Sequence, residues 1–413
     1  MRRLLKLPTG RDGVTGGCGM TWRIPFAILI SSGPILALIN GALGSISNPV
    51  LTAAVLGGST VVIGLFGHYR GIVLREIDVL FAALVATIAV SVVLNGLPPA
   101  RDAALFALSL AAYPACRAVP LGKPFGAFSA ITISIVLLGA IVVAGSLYGA
   151  AVDLRGRPVV LGFGHAPTVF LMSLGFLLIV IATSEKLTIH RAIFACVIAC
   201  GPIVIFAAAQ VRFVFVALLI ALLASLLVAR SRQRVAVSVI VGIFVLAGTI
   251  GFAARHQTSI GSLRAAIDPF NGHARSEAEE CAESYNTVEM RKTLLRSAVS
   301  KMPDAGLFGH GLSSFERTSC LKMFPHNAVL QAAVEFGWLG GAALVLMIVF
   351  ALRRIWTVAR MDREGAFVFS ALVFVLVNDL AYGSLVSSGL LFLFLGYAAR
   401  LTEQSSPVTG ASA

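Results

Sequence analysis

The chain has 413 residues, of which 58% are hydrophobic and only 12% are charged, and its mean hydropathy is +0.92. Soluble domains carry about 25% charged residues, so this composition excludes an ordinary soluble protein and indicates a polytopic membrane protein. The formal net charge of +13 does not require a nucleic-acid partner, because the basic residues collect in alternate short loops, as in membrane proteins.

The predicted elements begin after a basic, glycine-containing segment at 1–22, which lacks the apolar core and cleavage site of a secretory signal and predicts a cytoplasmic tail. Apolar segments follow, each long enough to cross about 30 Å of hydrocarbon. They predict a bundle of about nine helices over 23–253 and about three more over 326–403, before a second cytoplasmic tail at 404–413. The expected spans are 24–43, 50–66, 77–95, 103–119, 125–147, 166–183, 189–208, 212–229, 235–253, 326–352, 365–381 and 384–400.

The short loops between these spans differ in charge. With a cytoplasmic N-terminus, the outer short loops contain Arg101, Arg155, Arg157 and Arg212. The cytoplasmic loops contain Arg70, Arg75, Arg117, Lys123, Lys186, Arg191, Arg230, Arg232, Arg234, Arg353, Arg354, Arg360 and Arg363. Because Lys and Arg are retained on the cytoplasmic side, this bias predicts that both termini are cytoplasmic and that 254–325 forms one large periplasmic loop.

The loop at 254–325 is long and polar, and a loop of this length usually has a function. Helical periodicity at 284–302 predicts a helix over the membrane surface that presents Arg291 to the bundle. Its expected apolar stripe is Val288, Leu294, Leu295, Val299 and Met302. The loop also holds Cys281 and Cys320, which would form a disulfide in an oxidising compartment. A solvated cap is the simpler interpretation of the mixed charges.

The chain lacks several familiar chemical motifs. His310 and His326 are not accompanied by carboxylates or cysteines at metal-ligand spacing, and no P-loop or glycine-rich nucleotide turn occurs. A Gly-x-Ser-x-Gly elbow is absent as well. The sequence therefore predicts no metal site and no cofactor, and it disfavours an ATP-driven transporter, a nucleotide-sugar enzyme and a serine hydrolase.

A histidine stands where the polar loop meets the next apolar segment, in FPHNAVLQAAVEFGWLGG. On one continuous helix, at 100° per residue, His326 would share a face with Ala333, Gly337 and Gly340, and Glu335 would point away from them. Small residues let a neighbouring backbone approach closely and would fix the orientation of His326. An interfacial polar residue without a role is the alternative interpretation.

These residues resemble the signature of a known family. The pair His326–Asn327, followed by Gly-x-x-Gly at Gly337 and Gly340, is similar to the motif of the O-antigen ligase and polymerase superfamily of bacterial membrane glycosyltransferases. Arg212, in QVRFVF, resembles an arginine at the outer mouth of a membrane helix in that family. The loop pattern of the family is matched by Arg291, Pro303, Gly309, Gly311 and Phe315.

The resemblance implies different roles for the two arginines and the histidine. Arg212 and Arg291 would hold the diphosphate of a polyprenyl-linked donor, because the planar guanidinium binds phosphate with two hydrogen bonds. His326 would act as the base or position the acceptor, since a histidine with a pKa near 6.5 can accept a proton at neutral pH. Asn327 and the glycines at 309, 311, 337 and 340 would support the site. Without the resemblance, Arg212 is explained as an interfacial side chain and Arg291 as a solvated loop charge.

Two polar residues at membrane depth, Asn378 and Asp379, are expected to line the cavity of the site. A helix cap or a partner for an arginine would explain these two residues equally well. Glu335 is expected to form a structural pair rather than a catalytic one.

Together these features predict an all-α, polytopic membrane protein of about twelve spans in the bacterial inner membrane, with its site facing the periplasm. The resemblance implies an O-antigen ligase that moves a glycan from undecaprenyl diphosphate to lipid A-core, without metal or ATP. A polymerase that adds glycan to a second lipid-linked glycan is the alternative, and a protein O-glycosyltransferase shares the motif. A secondary transporter is the alternative of another class, for which related halves and broken helices would be typical.

Overall fold

The computed structural model describes residues 23–43, 49–67, 72–119, 125–149, 166–255 and 287–404. Within these ranges the chain forms α-helices and short 3-10 turns, and no β-strand, which confirms the all-α prediction. The predicted tail at 1–22, the segment 256–286 and the segment 405–413 lie outside the described residues.

Sixteen α-helices are described. Their bounds are α1 (Arg23–Ile30), α2 (Ser32–Ala42), α3 (Pro49–Phe66), α4 (Glu76–Asn95), α5 (Ala100–Arg117), α6 (Phe125–Tyr148), α7 (Ala166–Ala182), α8 (Ile189–Ala208), α9 (Arg212–Val228), α10 (Ser231–Ala253), α11 (Thr287–Lys301), α12 (Ser314–Thr318), α13 (Ala328–Glu335), α14 (Gly337–Ala359), α15 (Arg363–Ala381) and α16 (Gly389–Gln404). Two 3-10 turns, Pro303–Ala305 and Leu385–Ser387, complete the described elements.

Six of the described helices are long and apolar enough to cross a membrane, namely α4, α6, α8, α10, α14 and α15. The pair α1 and α2 passes the same test together but bends by 77° at its break. Shorter apolar helices occupy Val50–Phe66, Ala166–Ala182 and Arg212–Val228. The chain is therefore a multi-pass membrane protein. A helix lies within each expected span, while the count of twelve, the periplasmic loop and the domain limits stay predictions.

The expected continuous helix over 326–352 is wrong. The helix breaks at Phe336, so that α13 ends at Glu335 and α14 begins at Gly337, whose φ is +76°. His326 lies before α13 with a left-handed backbone, φ +55°. His326 and Gly337 therefore do not share a helical face, and the glycine serves the break rather than a helix surface.

A loop at 306–311, here called the glycine loop, pairs with the backbone at this break. The backbone hydrogen bonds are His310 N to Val334 O (3.1 Å), Gly311 N to Glu335 O (2.9 Å), Trp338 N to Gly306 O (3.0 Å) and Leu339 N to Leu307 O (3.3 Å). These bonds satisfy amides and carbonyls that an unbroken helix would have satisfied internally, which is required at membrane depth.

Helices α9 and α15 pack against each other in opposite directions. The hydroxyl of Ser225, near the end of α9, donates to the hydroxyl of Ser370 on α15 over 2.9 Å. The first residue of α9 therefore lies near the last turn of α15, and this arrangement brings distant parts of the sequence to one end of the bundle.

At the other end of the bundle, a buried ionic cluster joins α4, α5 and α16. The Arg117 guanidinium contacts both carboxylate oxygens of Asp78, over 2.8 and 2.9 Å, and an oxygen of Glu403 over 2.5 Å. Arg400 donates to Glu403 over 2.8 Å, and the Tyr113 hydroxyl donates to Asp78 over 2.8 Å. Mutual pairing offsets the desolvation of these charges.

Candidate functional site

Helix α11 packs on the bundle through a small apolar cluster. Met290, Leu294 and Ala298 are buried there against Phe315 and Val334. The predicted helix is present from Thr287 to Lys301. Leu294 and Met302 of its predicted apolar stripe pack in this cluster, but Met290 and Ala298 also belong to it and were not predicted. Val299 is 53% exposed instead. The buried positions recur every four residues and so lie on one face of α11, next to Arg291.

The guanidinium of Arg291 lies between two aromatic rings. Its central carbon is 3.9 Å from the ring centroid of Phe213, on the first turn of α9, and 5.1 Å from the ring centroid of Tyr382, just after α15. Both distances are within the range of cation–π attraction, which is stronger where water is excluded. The two rings therefore fix the plane of the guanidinium in the site.

His326 is buried against the same tyrosine. Its ring stacks on the ring of Tyr382, with centroids 5.7 Å apart and planes inclined by 23°, and it meets the edge of Phe324 at 4.6 Å. The Nδ1 atom lies 3.4 Å from the backbone carbonyl oxygen of Tyr382. A proton on Nδ1 would be directed at this carbonyl, and the neutral ring would then carry its lone pair on Nε2.

The neighbouring residue, Asn327, holds this arrangement through both ends of its side-chain amide. Its Oδ1 accepts hydrogen bonds from the backbone amides of Val329 and Leu330, over 3.1 and 3.0 Å, and so caps α13. Its Nδ2 donates to the backbone carbonyl of Leu380 over 3.1 Å. One side chain thus connects the start of α13, which follows His326, to the end of α15, which precedes Tyr382.

Arg212 is the first residue of α9 and precedes Phe213, the ring that supports Arg291. Its Nε and Nη2 atoms donate to Oε1 of Gln210, over 3.1 and 2.5 Å. Gln210 is buried and has a φ of +62°, which hooks the chain back before α9 begins. The structure therefore brings Arg212, Arg291 and His326 to the same end of the bundle.

Asn378 and Asp379 lie on the last turn of α15, one turn before Tyr382, and both are buried. The backbone carbonyl of Asn378 accepts from the Tyr382 amide over 2.7 Å. Within the part of the chain that the structure describes, Oδ1 of Asn378 and Oδ2 of Asp379 have no hydrogen-bond partner. Buried polar atoms of this kind usually face water or a ligand, so a cavity-lining role stays a prediction for both residues.

The four motif glycines act on the backbone around the helix break. A Cβ at Gly309 would lie 2.3 Å from the backbone of Glu335, and a Cβ at Gly337 would lie 2.3 Å from the backbone of Leu307. A Cβ at Gly311 or Gly340 would come within 3.0 Å of the Cβ of Asn95 or Phe336, respectively. These contacts connect α4 to the glycine loop, and the role of the glycines in supporting the site stays a prediction.

Polar side chains that the sequence did not single out hold the same region together. Ser91 donates to the Glu335 carbonyl over 3.1 Å, and Asn95 donates to the Gly309 carbonyl over 3.2 Å. Gln331 donates to the Glu335 carboxylate over 3.1 Å and accepts from the Leu385 amide over 2.8 Å. Glu335 therefore has the structural partner that was expected of it.

The short helix α12 is tied to the start of α5. The Ser313 hydroxyl donates to Asp102 over 2.8 Å. On the next turn, burial raises the pKa of the Glu316 carboxyl, and the negative charge of Asp102 raises it further, while Arg101 lowers it. The loop side of the bundle is therefore fastened to α5 by hydrogen bonding in addition to apolar packing.

Two sequence predictions about cysteine and metal fall partly outside the described residues. Cys320 is disulfide-bonded, and Cys281, its expected partner, lies outside the described ranges. Cys116, Cys196 and Cys200 are free thiols. Among the residues that the structure describes, no group of three or more potential ligands is placed to hold a metal ion.

Fold and site together define a class of protein, a multi-pass helical membrane protein with an arginine–aromatic–histidine cluster at one end of its bundle. Residues 194–345 match the family model described as O-antigen ligase. This match confirms the resemblance over residues 194–345, a region that contains Arg212, Arg291 and His326. No curated protein and no solved structure matches the chain.

The structure adds two aromatic residues to the site that the sequence analysis missed. Phe213 could have been noticed as an aromatic residue next to Arg212, and Tyr382 as an aromatic residue soon after the polar pair Asn378–Asp379. Tyr382 lies beyond the region that matches the family. No sequence signal joins it to Arg291, because the rest of α11 and all of α12 to α15 lie between the two residues.

Proposed function

We propose that this protein is a glycosyltransferase that moves a glycan from undecaprenyl diphosphate to lipid A-core at the periplasmic face of the bacterial inner membrane. The observation that carries the proposal is the stack on Tyr382, whose ring contacts both Arg291 and His326. Arg291 and His326 both lie in the region that matches the O-antigen ligase family. A phosphate-binding group and a proton acceptor thus serve one centre, as group transfer requires.

In the proposed reaction an acceptor hydroxyl oxygen bonds to the anomeric carbon of the donor glycan. The bond between that carbon and the diphosphate oxygen breaks, and undecaprenyl diphosphate leaves with the electron pair. Arg291 and Arg212 stabilise the negative charge that grows on the diphosphate. The hydroxyl proton passes to Nε2 of His326, because Nδ1 faces the Tyr382 carbonyl.

The acceptor distinguishes the members of the superfamily. The glycine loop and Arg291 together favour the ligase, whose acceptor is lipid A-core, over the polymerase, whose acceptor is a second lipid-linked glycan. The two broken helices, α1–α2 and α13–α14, also occur in transporters. The glycine loop pairs with the second break, so that break is explained as a support for the site.

The test is the lipopolysaccharide profile of a deletion strain complemented with wild type, His326→Ala or His310→Ala. His310 is exposed and contributes only its backbone amide to the glycine loop, so it is the matched control. We expect His326→Ala to lose the O-chains from lipid A-core and to accumulate chains on the lipid carrier, while His310→Ala retains them.

Other lipopolysaccharide profiles would contradict the assignment as a ligase. Lipid A-core with a single repeat unit would identify a polymerase instead. Normal O-chains with His326→Ala, at wild-type membrane levels of the variant, would remove His326 from the chemistry. Export of glycan without transfer would identify a transporter.

A further inference from the structure

A cavity lies at the end of the bundle opposite the site formed by Arg291, Tyr382 and His326. It is a small recess that is open to solvent on one side. Helices α9 and α15 run from the site to this cavity, and at 1.5 Å per residue they separate the two by roughly 25 Å. Its lining residues come from the ends of α7, α9 and α14 and from the starts of α10 and α15.

Three arginines line this cavity, namely Arg230, Arg360 and Arg363. The lining carboxylates are those of Glu185 and Asp362. The Asp362 carboxylate accepts hydrogen bonds from the backbone amides of the first turn of α15, over 2.9 and 3.2 Å, and its charge is therefore directed at the helix end. The cavity as a whole is basic.

Two of the three arginines contact the surrounding chain. The guanidinium of Arg230 donates to the Met361 carbonyl over 3.3 Å, and that of Arg360 lies 4.4 Å from the ring centroid of Trp356. Gln233 donates to the Ser184 and Glu185 carbonyls and so fixes the first turn of α10 against the end of α7. These contacts make a built recess rather than a set of mobile surface side chains.

Exposed apolar side chains accompany the basic recess. Met361 lines the cavity and is 63% exposed. Leu227 on α9 and Val235 on α10 lie within two residues of lining residues in the sequence, and they are 64% and 57% exposed. Basic pockets between membrane helices recognise the headgroups of anionic lipids, whose acyl chains lie on apolar helix surfaces. A free phosphate would use the arginines but would gain nothing from these apolar side chains.

We propose that this cavity binds the phosphodiester headgroup of an anionic membrane lipid, in the leaflet opposite the leaflet nearest His326. The headgroup phosphate accepts hydrogen bonds from Arg230 and Arg363, and the acyl chains lie against the exposed side chains of α9 and α10. A lipid in this position would contact α9, α10 and α15. It would thereby stabilise the packing of α9 against α15, the two helices that also reach the site.

The experiment is native mass spectrometry of the purified full-length chain in detergent, with added phosphatidylglycerol or phosphatidylcholine. We expect wild type to retain phosphatidylglycerol selectively, and Arg230→Gln/Arg363→Gln to bind it on the order of thirty-fold more weakly, from the loss of two charges. Arg353→Gln is the matched control, because Arg353 is an exposed arginine on α14 that does not line the cavity.

A second variant separates lipid binding from folding. Ala229→Leu keeps every charge but fills part of the cavity, so it should weaken phosphatidylglycerol binding while the thermal unfolding temperature without lipid stays near that of wild type. Equal retention of phosphatidylglycerol by wild type and by both cavity variants would overturn the proposal. Full displacement of the lipid by millimolar inorganic phosphate would also overturn it, since the cavity would then be a site for free anions.

Discussion

At the scale of single residues, the feature that organises the site is the position of one ring, Tyr382. Its ring lies 5.1 Å from the guanidinium carbon of Arg291 and 5.7 Å from the centroid of the His326 ring. A planar, delocalised guanidinium can stack its flat face on an aromatic ring, which a compact ammonium group cannot do. The aromatic ring therefore orients both groups that the proposed transfer requires.

Replacement of this ring tests its role. We expect Tyr382→Leu to lower kcat/KM for glycan transfer by about two- to thirty-fold, because it removes a cation–π contact worth about 0.5–2 kcal/mol. Tyr382→Phe keeps the ring and should stay within about two-fold of wild type. The measurement is transfer by the reconstituted protein with a defined lipid-linked donor. Equal rates for Tyr382→Leu and Tyr382→Phe would show that the ring does not position the reacting groups.

The sequence identified part of this site. His326 and Asn327 stand out because a polar pair opens an apolar segment, and the arginines stand out through the family pattern. Phe213 and Tyr382 did not stand out, since aromatic residues are common in membrane helices and their selection depends on which side chains meet after folding. Asn327 combines a predictable and an unpredictable contact. Its cap on α13 is local in sequence, whereas its hydrogen bond to the Leu380 carbonyl depends on the tertiary structure.

At the scale of elements, the glycine loop and the helix break form one unit. Gly309 and Gly337 have φ values of +71° and +76°, and each places its Cα against the backbone of the other segment. Only glycine combines a left-handed backbone with such a close approach. The break in turn permits α13 to carry Asn327 and His326 at an angle different from that of α14.

Alanine substitutions can separate the two demands on these glycines. Gly306 has a φ of +59° and a ψ of −155°, but a Cβ there meets nothing within 4 Å, so Gly306→Ala should cost only the backbone strain, about 1–3 kcal/mol. Gly309→Ala and Gly337→Ala should each cost more than about 3 kcal/mol, because the added carbon overlaps backbone atoms that cannot move aside. Thermal unfolding in detergent gives the order of stabilities. A cost for Gly309→Ala no larger than that of Gly306→Ala would refute close packing of the glycine loop.

At the scale of the whole molecule, the two ends of the bundle are stabilised by different kinds of contact. The end that carries His326 is held by aromatic stacks and backbone pairing, and the other end is held by the buried cluster of Asp78, Arg117, Glu403 and Arg400. Charges in this cluster join helices that are far apart in the sequence, which fixes α16 against α4 and α5.

The ionic cluster makes a prediction about stability. Arg117→Leu should destabilise the protein by about 3–5 kcal/mol, because it leaves the carboxylates of Asp78 and Glu403 buried without their shared cation. Arg354 pairs with Glu76 over 2.6 Å, but both side chains are about half exposed. Arg354→Leu should therefore cost less than about 1 kcal/mol. Similar unfolding temperatures for the two variants would mean that the buried cluster contributes no more than the exposed pair.

The proposed orientation in the membrane is tested by labelling with a membrane-impermeant maleimide. Ser300, on α11, and Met361, between α14 and α15, are both exposed and lie on opposite sides of the proposed topology. In spheroplasts we expect label on Ser300→Cys before permeabilisation and on Met361→Cys only afterwards, with the unmodified chain as background. The reverse pattern would invert the topology and place His326 in the cytoplasm.

The sequence by itself determined that the chain is helical and membrane-embedded, and it indicated the family and the polar residues at one end of the bundle. Those properties follow from local features, namely the length of apolar segments and the short motifs around Arg212, Arg291 and His326. Only the tertiary structure decided the break at Phe336, the stack on Tyr382, the buried cluster around Arg117 and the basic cavity. Each of these depends on backbone or side-chain contacts between distant segments, which neither apolar periodicity nor charge pattern records.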